Sequence, residues 1–231
     1  MPPYNSVLCI AIIINTHTMN KIFIIGLPRT GTTSVCAAML ELGFHVAHTA
    51  YTDRSFEEAQ VIADTPVFCD YQDLDIAYPN AKFIYLARDL NKWLSSIQQL
   101  LIRMHANLIR SDGGFNPIIK RCYQEIFAPY SLDNINNLDF LTRCYQQHQT
   151  QVQQYFANRQ NDLLSIDISE SKSYRQLLDF LNLTESNTKN NDFQRLNIGG
   201  KVTAWKDIKS SLKVDSTNKG RVTKLPYLTS I

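Results

Sequence analysis

Short apolar runs alternate with segments of helical periodicity along most of the chain. Runs of this length, rich in β-branched and aromatic residues, are typical of buried strands. Four of them are predicted strands: KIFIIG at residues 21–26, FHVAHT at 44–49, KFIYLA at 82–87 and DLLSIDI at 162–168. Because helical segments separate these runs, the pattern predicts an α/β fold with a parallel sheet covered by helices on both faces.

Helical periodicity fills the stretches between the predicted strands. Ser55 and Glu58 have the spacing of a capping box, so we predict a helix over residues 55–63 that ends before Pro66. The remaining predicted helices cover residues 32–44, 91–109, 116–127, 138–159 and 173–183. Three of them follow one another without a strand, which predicts a mostly helical insertion in the fold.

The two ends of the chain differ from the middle. Residues 7–14 form an apolar run of eight residues, whereas a membrane span needs about 20. We therefore predict that residues 1–18 are an extension outside the core and that residues 19–231 form a single domain. The basic, glycine-containing tail from about residue 197 to 231 is a candidate lid segment.

The charge balance of the chain is nearly even. It has 23 Lys and Arg residues against 21 Asp and Glu residues, a formal net charge of +2. So small an excess predicts neither a nucleic-acid partner nor binding to an anionic membrane surface.

The five cysteines are widely spaced and contain no CxxC pair. This favours free thiols in a reducing, cytoplasmic compartment over a disulfide scaffold or a zinc site.

The stretch GLPRTGTTS at residues 26–34 joins the first predicted strand to the first predicted helix. A glycine-bounded turn in this position aims backbone N–H groups and the positive end of the helix dipole at an anion. Gly26 and Gly31 have the separation of a Walker A loop, but Thr32 stands where that loop carries its lysine. Arg29 supplies the nearest cation instead. The loop therefore predicts a phosphate site and argues against ordinary ATP or GTP hydrolysis.

This loop resembles the 5′-phosphosulfate loop of P-loop sulfotransferases, which reads P-[KR]-[ST]-G-T-[TS]. The second signature of that family is an arginine at the end of a strand, followed by a serine in the next helix. The stretch YLARDLNKWLSS supplies Arg88 and Ser96 at the family's spacing. D-x-P and Y-P-x-A-K elements between the two signatures also resemble one branch of the family. The resemblance covers residues 21–96 and again 162–182, and it implies a three-layer, P-loop-type sheet whose helical insertion forms the acceptor side.

Members of this family move the sulfuryl group of 3′-phosphoadenosine 5′-phosphosulfate to an acceptor hydroxyl or amine by in-line displacement. The resemblance thus implies this donor as co-substrate, a small-molecule or glycan acceptor, and no metal ion. The residues that match the family's phosphosulfate loop are Arg29, Thr30, Gly31, Thr32 and Thr33, and those that match its 3′-phosphate signature are Arg88 and Ser96.

Transfer to a hydroxyl or amine requires a base to take the acceptor proton. Asp64 lies in the D-x-P element, where relatives carry a catalytic acidic residue, and His48 resembles a family histidine near the acceptor. Asp64 is the preferred candidate.

At the other end of the chain Lys219, Gly220 and Arg221 resemble the basic segment that closes the nucleotide site in relatives, although a solvated basic tail also fits them.

Two other classes of function stay open at this point. A nucleotide kinase or NTPase would need magnesium and the lysine that this loop lacks. A non-catalytic nucleotide-binding module could use the glutamine-rich helix at residues 146–154 for a partner. The sequence indicates neither the acceptor nor the oligomeric state.

Overall fold

The computed structural model describes residues 20–183, 192–193, 197–198, 201–202 and 204–228. The predicted extension at residues 1–18 lies outside the described residues. The strands are β1 (Ile22–Ile24), β2 (Val46–Ala47), β3 (Val61–Ala63), β4 (Lys82–Ala87), β5 (Leu163–Asp167), β6 (Asn197–Ile198) and β7 (Lys201–Val202). The helices are α1 (Thr32–Glu41), α2 (Asp53–Glu58), α3 (Tyr71–Ala77), α4 (Leu90–Ile109), α5 (Pro117–Ile126), α6 (Leu132–Ile135), α7 (Leu138–Tyr155) and α8 (Ser173–Phe180).

A five-stranded sheet forms the middle layer, in the order β2-β3-β1-β4-β5. Every pairing within it is parallel. From β1 the chain goes first to the outer strand β2 and returns to form β3 beside β1, and it then crosses to the other side of β1 to form β4. In open sheets of this kind ligands bind at the carboxyl ends of the strands where the winding reverses. The fold therefore places the predicted phosphate loop and Arg88 side by side, because they follow β1 and β4.

Helices cover both faces of the sheet because its strands are apolar on both sides. Ile22 and Ile24 of β1 pack in one core with residues of α1 and α8. Phe23 and Ile25 point the other way and pack with residues of α3 and α7. This alternation confirms the predicted three-layer α/β architecture with a parallel sheet between helices.

The predicted helix over residues 55–63 is wrong in both its start and its end. Helix α2 begins earlier, because Thr52 caps it by accepting a hydrogen bond from the backbone N–H of Ser55 at 3.1 Å. It ends at Glu58, and Val61–Ala63 form strand β3. All three residues of β3 are fully buried between β1 and β2. The packing of the sheet thus overrides a local pattern that reads as helix.

Helices α4 to α7 enclose a third core above the carboxyl edge of the sheet. The short helices α3 and α6 were not expected from periodicity. No helix in the described part of the chain is both long enough and apolar enough to cross a membrane.

The C-terminal segment, described for residues 204–228, runs beside the outer strand β2. Val46 of β2 donates to the carbonyl of Leu212 and accepts from the N–H of Val214, both at 2.9 Å. Farther along, the Tyr227 hydroxyl donates to Asp70 at 2.7 Å. These contacts fasten the segment to the edge of the sheet.

Candidate active site

A cavity of about 680 Å³ opens at the carboxyl edge of the sheet, where β1 and β4 lie side by side. Pockets for small ligands are commonly about 300–1,000 Å³. The cavity is bounded by the loop after β1, the start of α1, the residues after β4 and the residues after β5. From the predicted site residues it includes Arg29, Thr30, Gly31, Thr32, Thr33, His48, Asp64 and Arg88.

The loop after β1 is held by two glycines that tolerate no side chain. A Cβ atom on Gly26 would lie 2.6 Å from the Cβ of Leu86 in β4, so only glycine lets the loop approach that strand. Gly31 has φ of 106° and leads into α1 with no side chain capping the helix. Thr30 closes the turn, because its hydroxyl donates to the carbonyl of Leu27 at 2.7 Å. The first N–H groups of α1 are therefore left for an anion in the cavity.

Arg29 occupies a backbone conformation that is unusual for a residue with a side chain, with φ of 74°. Asp64 does the same with φ of 54°. Conformations of this kind cost free energy and cluster at functional sites. Both residues line the cavity, so the strained positions and the predicted chemistry coincide.

Two arginines meet in the cavity, and no carboxylate of the described residues lies within ion-pair distance of either one. Arg88 donates from Nη1 to the backbone carbonyl of Arg29, and Arg29 donates from Nε to the Ser96 hydroxyl at 2.8 Å. Burial lowers the pKa of Arg29 from its ordinary value, and the positive charge of Arg88 lowers it further. Among the described residues neither guanidinium forms a salt bridge. Cations gathered in this way need an anion to offset their mutual repulsion.

Ser96 lies where the sequence indicates, in the helix after Arg88, but its hydroxyl contacts the other arginine. It accepts a hydrogen bond from Arg29, whereas Arg88 reaches the backbone of the first loop. Each arginine therefore contacts a residue of the other signature: Arg29 contacts Ser96, and Arg88 contacts the backbone of Arg29. This arrangement could not be read from the spacing of either signature.

The threonines at the start of α1 connect the cavity to both candidate bases. The Nε2 atom of His48 lies 3.0 Å from the Thr33 hydroxyl and 3.3 Å from the Thr32 hydroxyl. The Thr32 hydroxyl also lies 3.4 Å from Oδ2 of Asp64. Burial lowers the pKa of His48, so its imidazole is neutral near pH 7, and Nε2 can accept a hydrogen bond from the Thr33 hydroxyl.

The basic residues near the C-terminus do not reach this cavity. Asn218 and Arg221 exchange two backbone hydrogen bonds of 3.0 Å. Lys219 and Gly220 are the two corner residues between them, with φ of 50° and 84°. These are the features of a two-residue hairpin turn, which requires positive φ at both corners. The turn is exposed, and none of its residues lines the cavity.

Three aromatic residues of the site region were not singled out from the sequence. Trp205 stacks on His48 with ring centroids 5.3 Å apart. Tyr123 lines the cavity, and Tyr145 bonds the backbone of Arg88. All three come from segments far along the chain from the loops they touch, and no local pattern marks them.

Comparison with known proteins agrees with the geometry. The family model described as "Sulfotransferase domain" matches residues 21–53 and 49–202, together more than half of the chain. The protein named "Ava biosynthesis cluster protein M" of Aspergillus versicolor is 30% identical over 112 residues. That alignment covers 36% of this chain and 43% of the relative, so the chain spans less than half of the relative's length.

Proposed function

Because the chain belongs to the sulfotransferase-domain family, we propose that it transfers a sulfuryl group from 3′-phosphoadenosine 5′-phosphosulfate to a small-molecule or glycan acceptor. The observation that carries the proposal is the meeting of Arg29, Arg88 and the uncapped start of α1 in one cavity. The donor bears phosphate groups at both ends of its ribose. A site with two separate cationic elements suits a ligand with two phosphate groups better than it suits a ligand with a single phosphate group.

The residues present fit this donor. Arg29 and the first N–H groups of α1 would hold the phosphosulfate, since the Arg29 guanidinium forms no salt bridge among the described residues and no side chain caps α1. Arg88 would hold the 3′-phosphate, because its backbone is anchored and its guanidinium forms no ion pair among the described residues. A guanidinium binds phosphate through two parallel hydrogen bonds.

The proposed reaction is an in-line displacement at sulfur. A lone pair of the acceptor oxygen or nitrogen forms a bond to sulfur, and the bond from sulfur to the bridging oxygen breaks with its electron pair left on the phosphate. The products are the sulfated acceptor and adenosine 3′,5′-bisphosphate. Arg29 and the N–H groups of α1 stabilise the charge that grows on the leaving oxygen, which lowers the barrier more than it strengthens ground-state binding.

Asp64 is the proposed base that takes the acceptor proton. Its Oδ1 atom is held by the N–H and hydroxyl of Thr65 at 2.8 Å and 3.1 Å, which orients the carboxylate. Within the described part of the chain, its Oδ2 atom is contacted by the Thr32 hydroxyl alone, at 3.4 Å, and is available to an acceptor. His48 is less suited, because its Nε2 already contacts two hydroxyls. We assign His48 the task of orienting Thr32 and Thr33.

A cytoplasmic location is part of this proposal. The four cysteines within the described residues, Cys36, Cys69, Cys122 and Cys144, are free, and reducing compartments keep thiols in that state. Transfer of the sulfuryl group changes no oxidation state, so the reaction does not require an oxidising compartment.

The proposal is tested with donor carrying labelled sulfate and a panel of phenols, alcohols, amines and glycans. We expect a labelled product together with an equal amount of adenosine 3′,5′-bisphosphate, and a loss of about 10²–10⁴-fold in kcat for Asp64→Asn. Asp73→Asn is the matched control, since Asp73 is an exposed carboxylate on α3. Donor binding without turnover on every acceptor would favour a non-catalytic module. Tighter binding of magnesium ATP than of the bisphosphate would favour a kinase or NTPase.

A further inference from the structure

The backbone of Arg88 lies in the short gap between two elements. Strand β4 ends at Ala87, and helix α4 begins at Leu90 with Asp89 as its cap. A peptide group in such a gap needs a hydrogen-bond partner from elsewhere, or it is left unsatisfied as the surroundings close over it. The direction of the Arg88 side chain follows from the orientation of this peptide.

Tyr145 of helix α7 supplies the partner, although it lies 57 residues away. Its hydroxyl accepts the N–H of Arg88 at 2.9 Å and donates to the carbonyl of Arg88 at 3.0 Å. The Tyr145 hydroxyl thus forms hydrogen bonds with both backbone polar groups of Arg88. Burial raises the pKa of Tyr145 above its ordinary value, so the hydroxyl keeps the proton that it donates.

The ring of Tyr145 is fixed in turn by Trp93 of helix α4. The two ring centroids lie 4.7 Å apart, and Trp93 is fully buried. The Trp93 indole N–H donates to the carbonyl of Pro28 at 3.0 Å, in the loop after β1. Tyr145 and Trp93 therefore tie the two arginine-bearing segments to one buried aromatic pair.

We propose that Tyr145 is a positioning residue that aims Arg88 at the 3′-phosphate of the nucleotide. The inference rests on the function proposed above, because it assigns Tyr145 a part in binding that nucleotide. A side chain that is 4% exposed and makes two hydrogen bonds to the backbone of a binding residue acts on the ligand only through that residue. Its effect on binding is therefore expected to be greatest at the phosphate group that Arg88 contacts.

The test compares two ligands in the full chain with Tyr145→Phe, which keeps the ring against Trp93 and removes only the hydroxyl. Adenosine 3′,5′-bisphosphate and AMP share every group except the 3′-phosphate. We expect Tyr145→Phe to weaken binding of the bisphosphate about tenfold, as a small misplacement of a binding group does, and to leave AMP binding within about twofold. The preference for the bisphosphate is the ratio of the two dissociation constants measured in the same protein. A general loss of stability affects both constants equally and leaves this ratio unchanged.

Tyr155→Phe is the matched control. Tyr155 lies on the same helix, and its hydroxyl donates to Asp75 at 2.8 Å, away from the cavity. This variant should keep the wild-type preference. An unchanged preference in Tyr145→Phe, or an equal loss for both ligands, would overturn the inference. If the wild-type protein shows no preference for the bisphosphate, the proposed function fails first, and this inference falls with it.

Discussion

Arg88 donates a hydrogen bond from its guanidinium to the backbone carbonyl of Arg29, across 59 residues of chain. This single contact joins the loop after β1 to the residues after β4. It also holds two cations in one cavity where neither has an acidic partner among the described residues. An anion between them would relieve the repulsion, so binding of a doubly phosphorylated nucleotide and ordering of the two segments are expected to go together.

Replacing Arg29 should remove most of the transferase activity. In the proposed reaction Arg29 is the cation nearest to the leaving oxygen, and deletion of one such donor typically lowers kcat about 10²–10³-fold. Arg29→Lys keeps the positive charge and should retain more activity, although it loses the planar fork. The rate of transfer of labelled sulfate measures both effects. Arg54→Ala is the control, because the one salt bridge of Arg54 among the described residues is an exposed pair with Glu58. Full activity in Arg29→Ala would contradict the assignment.

Replacing Gly26 should damage both the fold and the ligand site. In Gly26→Ala the new Cβ would meet the Cβ and backbone N of Leu86 at 2.6 Å and 3.0 Å, and neither atom can move away without shifting β4. We expect a loss of about 1–3 kcal/mol in the free energy of unfolding, the usual cost of overpacking, and weaker binding of adenosine 3′,5′-bisphosphate.

Gly43→Ala separates these two effects. Gly43 has φ of 90° but open space around its Cα, so its substitution costs about 1–3 kcal/mol of backbone strain at a site remote from the cavity. Urea unfolding and ligand titration should show lower stability with unchanged ligand affinity. Unchanged affinity in Gly26→Ala as well would show that the approach of the loop to β4 does not shape the site.

His148 should make the protein less stable in mild acid. Its ring is 2% exposed, and its Nε2 lies 2.8 Å from the carbonyl of Phe68. Its Nδ1 is buried and has no hydrogen-bond partner among the described residues. Burial lowers the pKa of His148 from 6.5 to about 4. Between these two values the unfolded chain binds a proton that the folded protein does not. The free energy of unfolding therefore falls as the pH falls, by about 1.4 kcal/mol per pH unit from this group.

The measurement is urea unfolding of wild type and His148→Gln from about pH 7 to about pH 5. Glutamine keeps an N–H donor for the Phe68 carbonyl and does not titrate. We expect the variant to lose the part of the pH dependence that belongs to His148, so the two curves should converge at lower pH. Parallel curves would mean that the pKa of His148 is the same in the folded protein as in the unfolded chain.

The long buried strand β4 and the phosphate loop could be predicted from the sequence because their signals are local. KFIYLA at 82–87 is apolar, β-branched and aromatic at successive positions, and β4 occupies these residues. Gly26 and Gly31 indicate a tight turn in the sequence, because an added Cβ at either position would clash with neighbouring atoms. The position of Arg88 at a strand end followed from the same local pattern.

Features that depend on distant parts of the chain could not be predicted in this way. Strand β3 has only three residues and follows a helix directly, so its apolar residues continue the helical pattern. The contact of Ser96 with Arg29 and the grip of Tyr145 on Arg88 span 67 and 57 residues. Lys219, Gly220 and Arg221 resemble a binding segment by composition, but the backbone of the hairpin turn accounts for the glycine.

The most direct test of the central claim is calorimetric titration of adenosine 3′,5′-bisphosphate and AMP into wild type, Arg29→Ala and Arg88→Ala. If the two arginines hold opposite ends of one nucleotide, wild type binds the bisphosphate more tightly, Arg88→Ala loses that preference, and Arg29→Ala weakens both ligands while keeping it. An Arg88→Ala protein that still prefers the bisphosphate, or an Arg29→Ala protein that binds both ligands as wild type does, would contradict the account.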